Sequence, residues 1–501
     1  MSLTDRLALH AAGRAGHTAL AWPGGRLAYG ELLEWVDAAV RLLEQAKVEV
    51  LALDAENGPA WVVLDIAAMR LGICLIPLPP FFSPTQLQHV LWRSGTQAVV
   101  TDDPERLRQR LGGLLSDIDS PLSVAGCELA WIKTAAAVRD GKKPVPEGVN
   151  KITFTSGTTG EPKGVMLSWS QMQAVVESLA DATAVGADDR HLALMPLAVL
   201  LENIGGVYAP LWAGASVVLL PMAQIGLSGS SGLNGGLMAA ALSESRATTA
   251  IFTPQTLQGV IEALEIKPDG RLLLRFAAVG GAPVSLRLLQ RAAQLRLPVY
   301  EGYGLSECAS VVCLNTPARH RSGSVGRPLP HLRLSVADDG EVSVCGQPFV
   351  GYLGEAASAA ECWPTGDLGE LDDDSFLYLR GRRRNVFITA FGRNVAPEWV
   401  ERELTLEPAI AQAAVFGEAR PYNVAVIVPN PDASPADIEA ALARANVTLP
   451  DYARVAHWIP AQAPFSSANG LLTGTGRIRR AALLACYGQA IESLYCEAQT
   501  S

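Results

Sequence analysis

Along most of the chain, short apolar runs alternate with stretches whose apolar residues recur at helical spacing. VEVLALDA (48–55) reads as a strand, WVVLDIAAMRLG (61–72) as a helix and ICLIPL (73–78) as the next strand. AVVTD (98–102), HLALMPL (191–197), SVVLLP (216–221) and TAIFTP (249–254) are further strand candidates, each followed by helix-compatible sequence. This alternation predicts an α/β fold of layered, mostly parallel sheets. GLSGSSGLNGGL (226–237) breaks the pattern, and its Gly/Ser content predicts a surface loop or a mobile lip over a ligand site.

A second change of pattern falls near residues 381–385. Before it, WPTGDLGELDDDSFLYLRG (363–381) reads as strand–turn–strand. After it come VFITAFGRNV, a helix opened by Pro397, the strands AQAAVFG and NVAVIVP, the helix SPADIEAALARANV and a last helix from about residue 478. The expected organisation is a large multi-layer domain over 1–381 and a small α+β domain over 382–501, with Arg380, Arg382, Arg383 and Arg384 on the junction.

The chain has 501 residues, 49% hydrophobic and 18% charged, enough to bury a large core and too ordered in composition for wholesale disorder. Its net charge of −10 argues against sequence-independent binding of nucleic acid or anionic lipid. Eight scattered cysteines form no CxxC pair or Cys/His cluster, and reduced thiols are expected. No run of ~18 apolar residues suggests a membrane span. With no secretory pattern at the N-terminus, the expected location is cytoplasmic.

The densest chemistry lies in T-F-T-S-G-T-T-G-E-P-K-G (153–164). An apolar strand carrying Ile152 and Phe154 runs into hydroxyls and glycines that end at Lys163. Glycines let backbone N–H groups converge on phosphate oxygens, hydroxyls add donors and the lysine adds a compact charge. The run is not a Walker A loop, because the lysine precedes its glycine instead of following it.

TSGTTGEPKG closely resembles the signature of the adenylate-forming superfamily of acyl-CoA synthetases, luciferases and peptide-synthetase adenylation domains. Four further segments resemble that superfamily's motifs in order: VGGAP (279–283), YEGYGLSE (300–307), TGD (365–367) with GRRRNVFITAFGRNVAPEWVE (381–401), and NGLLTGTGR (469–477). The resemblance implies roles for individual residues. Thr155, Ser156, Gly157, Thr158, Thr159, Gly160 and Lys163 would hold the outer phosphates of ATP, and Thr155 with Glu307 would hold Mg²⁺. Gly280, Gly281 and Ala282 would face the adenine opposite Tyr303, within a segment that includes Glu301, Gly302 and Ser306. Asp367 would accept from the ribose hydroxyls, with Arg382 nearby. Arg384 takes the hinge position of a mobile C-terminal domain, and Gly392 the place where backbone meets the pantetheine arm of coenzyme A.

One departure concerns the terminal loop, where the superfamily carries a catalytic lysine and this chain reads T-G-T-G-R. No lysine occurs after Lys267, so Arg477 is expected to take the role. Arginine keeps the charge but presents a planar, directional fork. MPLAVLLEN (195–203) resembles the segment bordering the acyl site in the long-chain branch, with Val199 or Leu200 where many relatives carry an aromatic or histidine. Ala309, Ser310, Val311 and Val312 suit either pocket lining or plain sheet core. The resemblance therefore implies ATP-dependent activation of a small-molecule carboxylate, a medium- or long-chain fatty acid, to acyl-AMP and then to a CoA thioester. An acyl-AMP ligase or acyl-carrier-protein synthetase is the second reading. A non-catalytic adenylate-binding protein is the third, and it rests on the arginine alone.

Overall fold

A computed structural model describes residues 1–135, 145–156, 162–228, 232–267, 272–346, 349–356, 360–391, 393–473 and 476–497. Among these residues the strands form a nine-stranded and an eight-stranded sheet, with a four-stranded and a three-stranded sheet further along the chain. The two large sheets are parallel at their centres and antiparallel at their edges. Arg190–Leu192, Thr249–Phe252, Phe276–Val279 and Val299–Tyr303 run parallel in the first. Val50–Asp54, Cys74–Pro77, Ala98–Thr101 and Lys151–Ser156 run parallel in the second.

Why these strands are continuous apolar runs follows from where they sit. Val50–Asp54, Cys74–Pro77, Ala98–Thr101 and Thr249–Phe252 are buried at every position, so neither face can be polar. The helix Pro59–Leu71 is buried along its first ten residues. It starts with proline in the first turn, where no N–H partner is needed, and stops at Gly72, whose φ of 68° suits a glycine C-cap. The next sheet departs from the mostly parallel expectation: Arg333–Val336, Glu341–Cys345, Cys362–Leu371 and Leu377–Arg382 are wholly antiparallel.

That antiparallel sheet corrects the reading of the cysteines. Cys345 and Cys362 face each other across it and form a disulfide, whereas all eight thiols were expected to be reduced. Their separation of 17 residues carries no motif, and only the strand register brings them together. Residues 229–231 of the Gly/Ser-rich segment lie outside the described residues, and the rest of it is paired or helical. Leu227–Ser228 pairs with Gly232–Leu233, and the helix Gly235–Glu244 begins inside the segment, capped by Asn234. A Cβ on Gly235 would lie 2.0 Å from the Gly259 carbonyl oxygen, so glycine here serves close helix packing.

From Phe387 onward, buried residues form two clusters drawn solely from the C-terminal part, a core separate from that of the large domain. The expected helix Pro397–Leu404, strands Ile410–Phe416 and Asn423–Pro429, and helices Pro435–Thr448 and Arg480–Glu497 are all present. An unforeseen strand, Val455–Pro460, pairs parallel to Asn423–Pro429. Polar contacts join the small domain to the large one. Ser285 donates to Glu403 (3.3 Å), Arg287 pairs with Glu407 (3.0 Å) and Gln258 donates to the Thr405 carbonyl (3.4 Å). Leu406 inserts into an apolar cluster of the large domain. No helix among the described residues is long and apolar enough to cross a membrane.

Candidate active site

In open parallel sheets, ligands bind where the chain leaves the carboxyl ends of the strands. The segments singled out in the sequence gather at that edge. Gly280 follows Phe276–Val279, Glu307 follows Val299–Tyr303, and residues 193–199 follow Arg190–Leu192. In the second sheet, Lys151–Ser156 pairs antiparallel with Pro162–Leu167, the two strands that flank the expected phosphate loop. Thr155 pairs with Lys163 in that hairpin, and its hydroxyl lies 3.5 Å from the Lys163 carbonyl. Gly157, Thr158, Thr159 and Gly160, like Gly392, lie outside the described residues, and Ser156 ends its strand.

Two backbone segments approach closely at the edge of the first sheet. A Cβ on Gly280 would sit 2.9 Å from the Gly302 carbonyl oxygen, so this contact requires glycine. Gly281 adopts φ +81°, open to solvent beside exposed Ala282. Glu301 is buried below them, and burial pushes its carboxyl up to about 8 against the opposing charge of Arg402 from the small domain. Ser306 opens the short 3₁₀ turn Ser306–Cys308 that carries Glu307.

Asp367 and Arg382 are register partners in the antiparallel sheet, which explains why residues fifteen apart form one ion pair at 2.7 Å. The Tyr303 hydroxyl donates to the other Asp367 oxygen at 2.6 Å. Burial, and then the Asp367 charge, hold that phenol protonated well above its ordinary range. One connected set of groups thus joins the expected adenine ring partner, the expected ribose acceptor and Arg382.

Glu307 connects to the Lys151–Leu167 hairpin through a residue that the sequence reading missed. The Tyr352 hydroxyl donates to Glu307 at 2.6 Å, and Lys163 lies 4.9 Å from the centre of the same tyrosine ring. Gly351–Tyr352 pairs antiparallel with Pro162–Leu167, which fixes this geometry. No motif in the sequence marked Tyr352. The donor set around Glu307 and Thr155 is hydroxyl and carboxylate oxygen, the chemistry that Mg²⁺ accepts. Among the described residues there is no group of three or more His, Cys, Asp or Glu that could cage a metal unaided.

The arginines of the terminal loop separate by what they touch. Arg479 donates to the Gly470 carbonyl at 3.2 Å, and Arg480 donates to Glu401 at 2.7 Å, both within the small domain. Arg477 instead reaches across to the Gly281 carbonyl oxygen at 3.3 Å. Protein packed beside its guanidinium, then the charges of Arg382 and Arg384, lower its pKa, while Asp367 and Glu307 oppose that. Arg477 therefore shares one electrostatic site with Glu307, Asp367 and Arg382, although it is exposed along the cleft. Arg384 lies exposed in the junction, just beyond the strand Leu377–Arg382.

Val199 is half-buried, and its N–H donates to the Pro196 carbonyl at 2.8 Å in the turn before a π-helix, Glu202–Tyr208. Ala309, Val311 and Val312 prove to be core: they are 2%, 6% and 0% exposed and belong to apolar clusters.

Known proteins match this arrangement along almost its whole length. The family described as AMP-binding enzyme matches residues 7–355, and the AMP-binding enzyme C-terminal domain matches residues 385–499. The chain belongs to the AMP-binding enzyme family and is an adenylate-forming enzyme of the acyl-CoA ligase type. It is 27% identical to the long-chain-fatty-acid–CoA ligase FadD15 of Mycobacterium bovis, over 87% of this chain and 86% of that one. It is 26% identical to the indoleacetate–CoA ligase of Aromatoleum aromaticum, over 86% and 88%. The fold is similar to that of the anthranilate CoA ligase AuaEII in complex with anthranoyl-AMP, with a TM-score of 0.78 at 19% identity, covering 97% of both chains.

Proposed function

We propose that the protein joins a carboxylic acid with an apolar body to coenzyme A through an acyl-adenylate. In the first half-reaction the substrate carboxylate attacks the α-phosphorus of ATP, the bond to the β-phosphate oxygen breaks, and pyrophosphate leaves. Carboxylate and phosphate repel each other, so the site must supply positive charge where they meet. Lys163 would bind the outer phosphates, and Arg477 would compensate the α-phosphate and the attacking oxygen. Mg²⁺ held by Thr155 and Glu307 would offset phosphate charge. Asp367 would hold the ribose, and Tyr303 with Gly280, Gly281 and Ala282 would hold the adenine. In the second half-reaction the CoA thiolate attacks the acyl carbon and AMP departs.

One observation carries this reading. Arg477 reaches across the domain junction to Gly281, while Arg479 and Arg480 are held within the small domain. A fatty acid is the leading acid, supported by Val199 and Leu200 in place of an aromatic or histidine and by the likeness to the fatty-acid ligase. An aryl acid is the second reading, favoured by the likeness to the indoleacetate ligase. We place the domain boundary at 381/382 and the pivot at Arg384. ATP–pyrophosphate exchange over a panel of alkyl and aryl acids tests the first half-reaction, and CoA or an acyl carrier protein added afterwards tests the acceptor. Absence of acid-dependent exchange would refute the proposal.

A further inference from the structure

Beyond Leu192 the first sheet gives up its hold on the chain. The last ladder-like bond there runs from the Ala193 N–H to the Val218 carbonyl, and two buried side chains then take over. Glu202, 0% exposed, accepts from the N–H groups of both Leu194 (3.1 Å) and Met195 (3.0 Å) through one carboxylate oxygen. Asn57 donates to the Met195 carbonyl (2.9 Å) and accepts from the Leu197 N–H (2.8 Å). The segment 194–197, which leads to Val199, is thus shaped by side chains and not by strand pairing.

Glu202 is itself anchored. Its other oxygen lies 2.8 Å from His191 Nε2, and His191 Nδ1 lies 3.0 Å from the Thr249 hydroxyl on the neighbouring strand. Gly206 leaves the room: a Cβ there would fall 1.9 Å from the Glu202 carboxylate. The same π-helix is pinned on another side, where Asn203 and Tyr208 meet Lys151 and Asp65. A fully buried carboxylate is costly unless its hydrogen bonds are met, and this one spends them on the backbone of the site's rim.

We propose that Glu202 is a positioning residue that sets which acid the enzyme accepts, by fixing the 194–199 wall of the acyl site. This rests on the acyl-ligase reading above. What matters is reach and acceptance, not charge. A glutamine can accept from both N–H groups and donate to His191 when that ring is neutral. An aspartate is one methylene too short to span from the π-helix to residues 194 and 195.

The test measures pyrophosphate exchange with straight-chain acids of graded length and one aryl acid, for the wild type, Glu202→Asp, Glu202→Gln and Gly206→Ala. Apolar pockets separate acids differing by one methylene by roughly 10- to 200-fold. Glu202→Asp and Gly206→Ala should erode the wild-type preference by about tenfold and raise KM for the acid, with KM for ATP unchanged. Glu202→Gln should retain the wild-type profile. Unaltered preference in Glu202→Asp, or parallel loss of acid and ATP affinity, would overturn the inference and leave Glu202 as a fold residue. A wild type that exchanges with no acid would instead refute the function on which the inference rests.

Discussion

The molecule contains two clusters of charged side chains that look alike in composition and differ in what their donors and acceptors do. In the interior, Lys151 Nζ lies 2.9 and 3.1 Å from the Asp65 carboxylate oxygens and 2.8 Å from the Tyr208 hydroxyl, which donates to Asp65 at 2.6 Å, and Asn203 completes the set. Lys151 and Asp65 are 2% and 1% exposed. In the cleft, Asp367 pairs with Arg382, Glu307 accepts from Tyr352 and Arg477 donates to the Gly281 carbonyl, and Arg477 opens to solvent. The buried set is closed: each group answers another, and its work is to hold the strand Lys151–Ser156, the helix Pro59–Leu71 and the π-helix in register. The proposed function assigns the cleft set to a ligand, and a cluster with such a role would contribute to chemistry more than to stability.

The sharpest break of this contrast is Lys151→Met. It leaves a buried carboxylate uncompensated, which costs about 3–5 kcal/mol. Denaturant unfolding should show that loss, and pairing the change with Asp65→Leu should recover most of it. A single variant as stable as the wild type would mean that the buried cluster is not structural. Next comes Arg477→Ala, expected to slow adenylation by about 10²- to 10³-fold, as when one preorganised charge is lost from a transition state. Its unfolding midpoint should not move, and thioester formation from supplied acyl-adenylate should continue. Unchanged pyrophosphate exchange would shift attention to Arg479 or Arg480.

The smallest expected effect belongs to Tyr352→Phe. A hydrogen bond to a charged group contributes about 1.5–3 kcal/mol, so loss of the donor to Glu307 should raise the magnesium or ATP requirement by roughly tenfold or more. Stability should hardly change, because the ring keeps its packing against Phe349 and Trp363. A stability loss with normal ATP use would place Tyr352 with the interior cluster instead.

The candidate residues of this site are legible in the sequence through the motifs that resemble the superfamily's, several of which fall near strand ends. Thr155, Gly280 and Tyr303 lie at or beside strand ends and Glu307 shortly beyond one, whereas Asp367 sits within Cys362–Leu371 and was marked by its TGD motif alone. Lys151, Asp65, Asn203 and Tyr208 are different. Each reads as an ordinary residue of its own element, and only the crossing of a strand, a helix and a π-helix makes them a cluster. Tyr352 escaped for the same reason, since its partner strand lies almost two hundred residues earlier. The Cys345–Cys362 pair depends on register alone. The strand Val455–Pro460 was hidden because VAHWIP carries half-exposed and exposed positions at an edge, without the apolar continuity of a central strand.

The polar footing of the small domain on the large one has a thermodynamic consequence. Ser285–Glu403, Arg287–Glu407 and Gln258–Thr405 outnumber the apolar insertion of Leu406. Charge pairs near water weaken as ionic strength shortens the Debye length, to about 8 Å at physiological salt and about 3 Å at 1 M. The proposed rotation of the small domain about Arg384 would then respond to ionic strength, which weakens the Arg287–Glu407 pair that holds the docked arrangement.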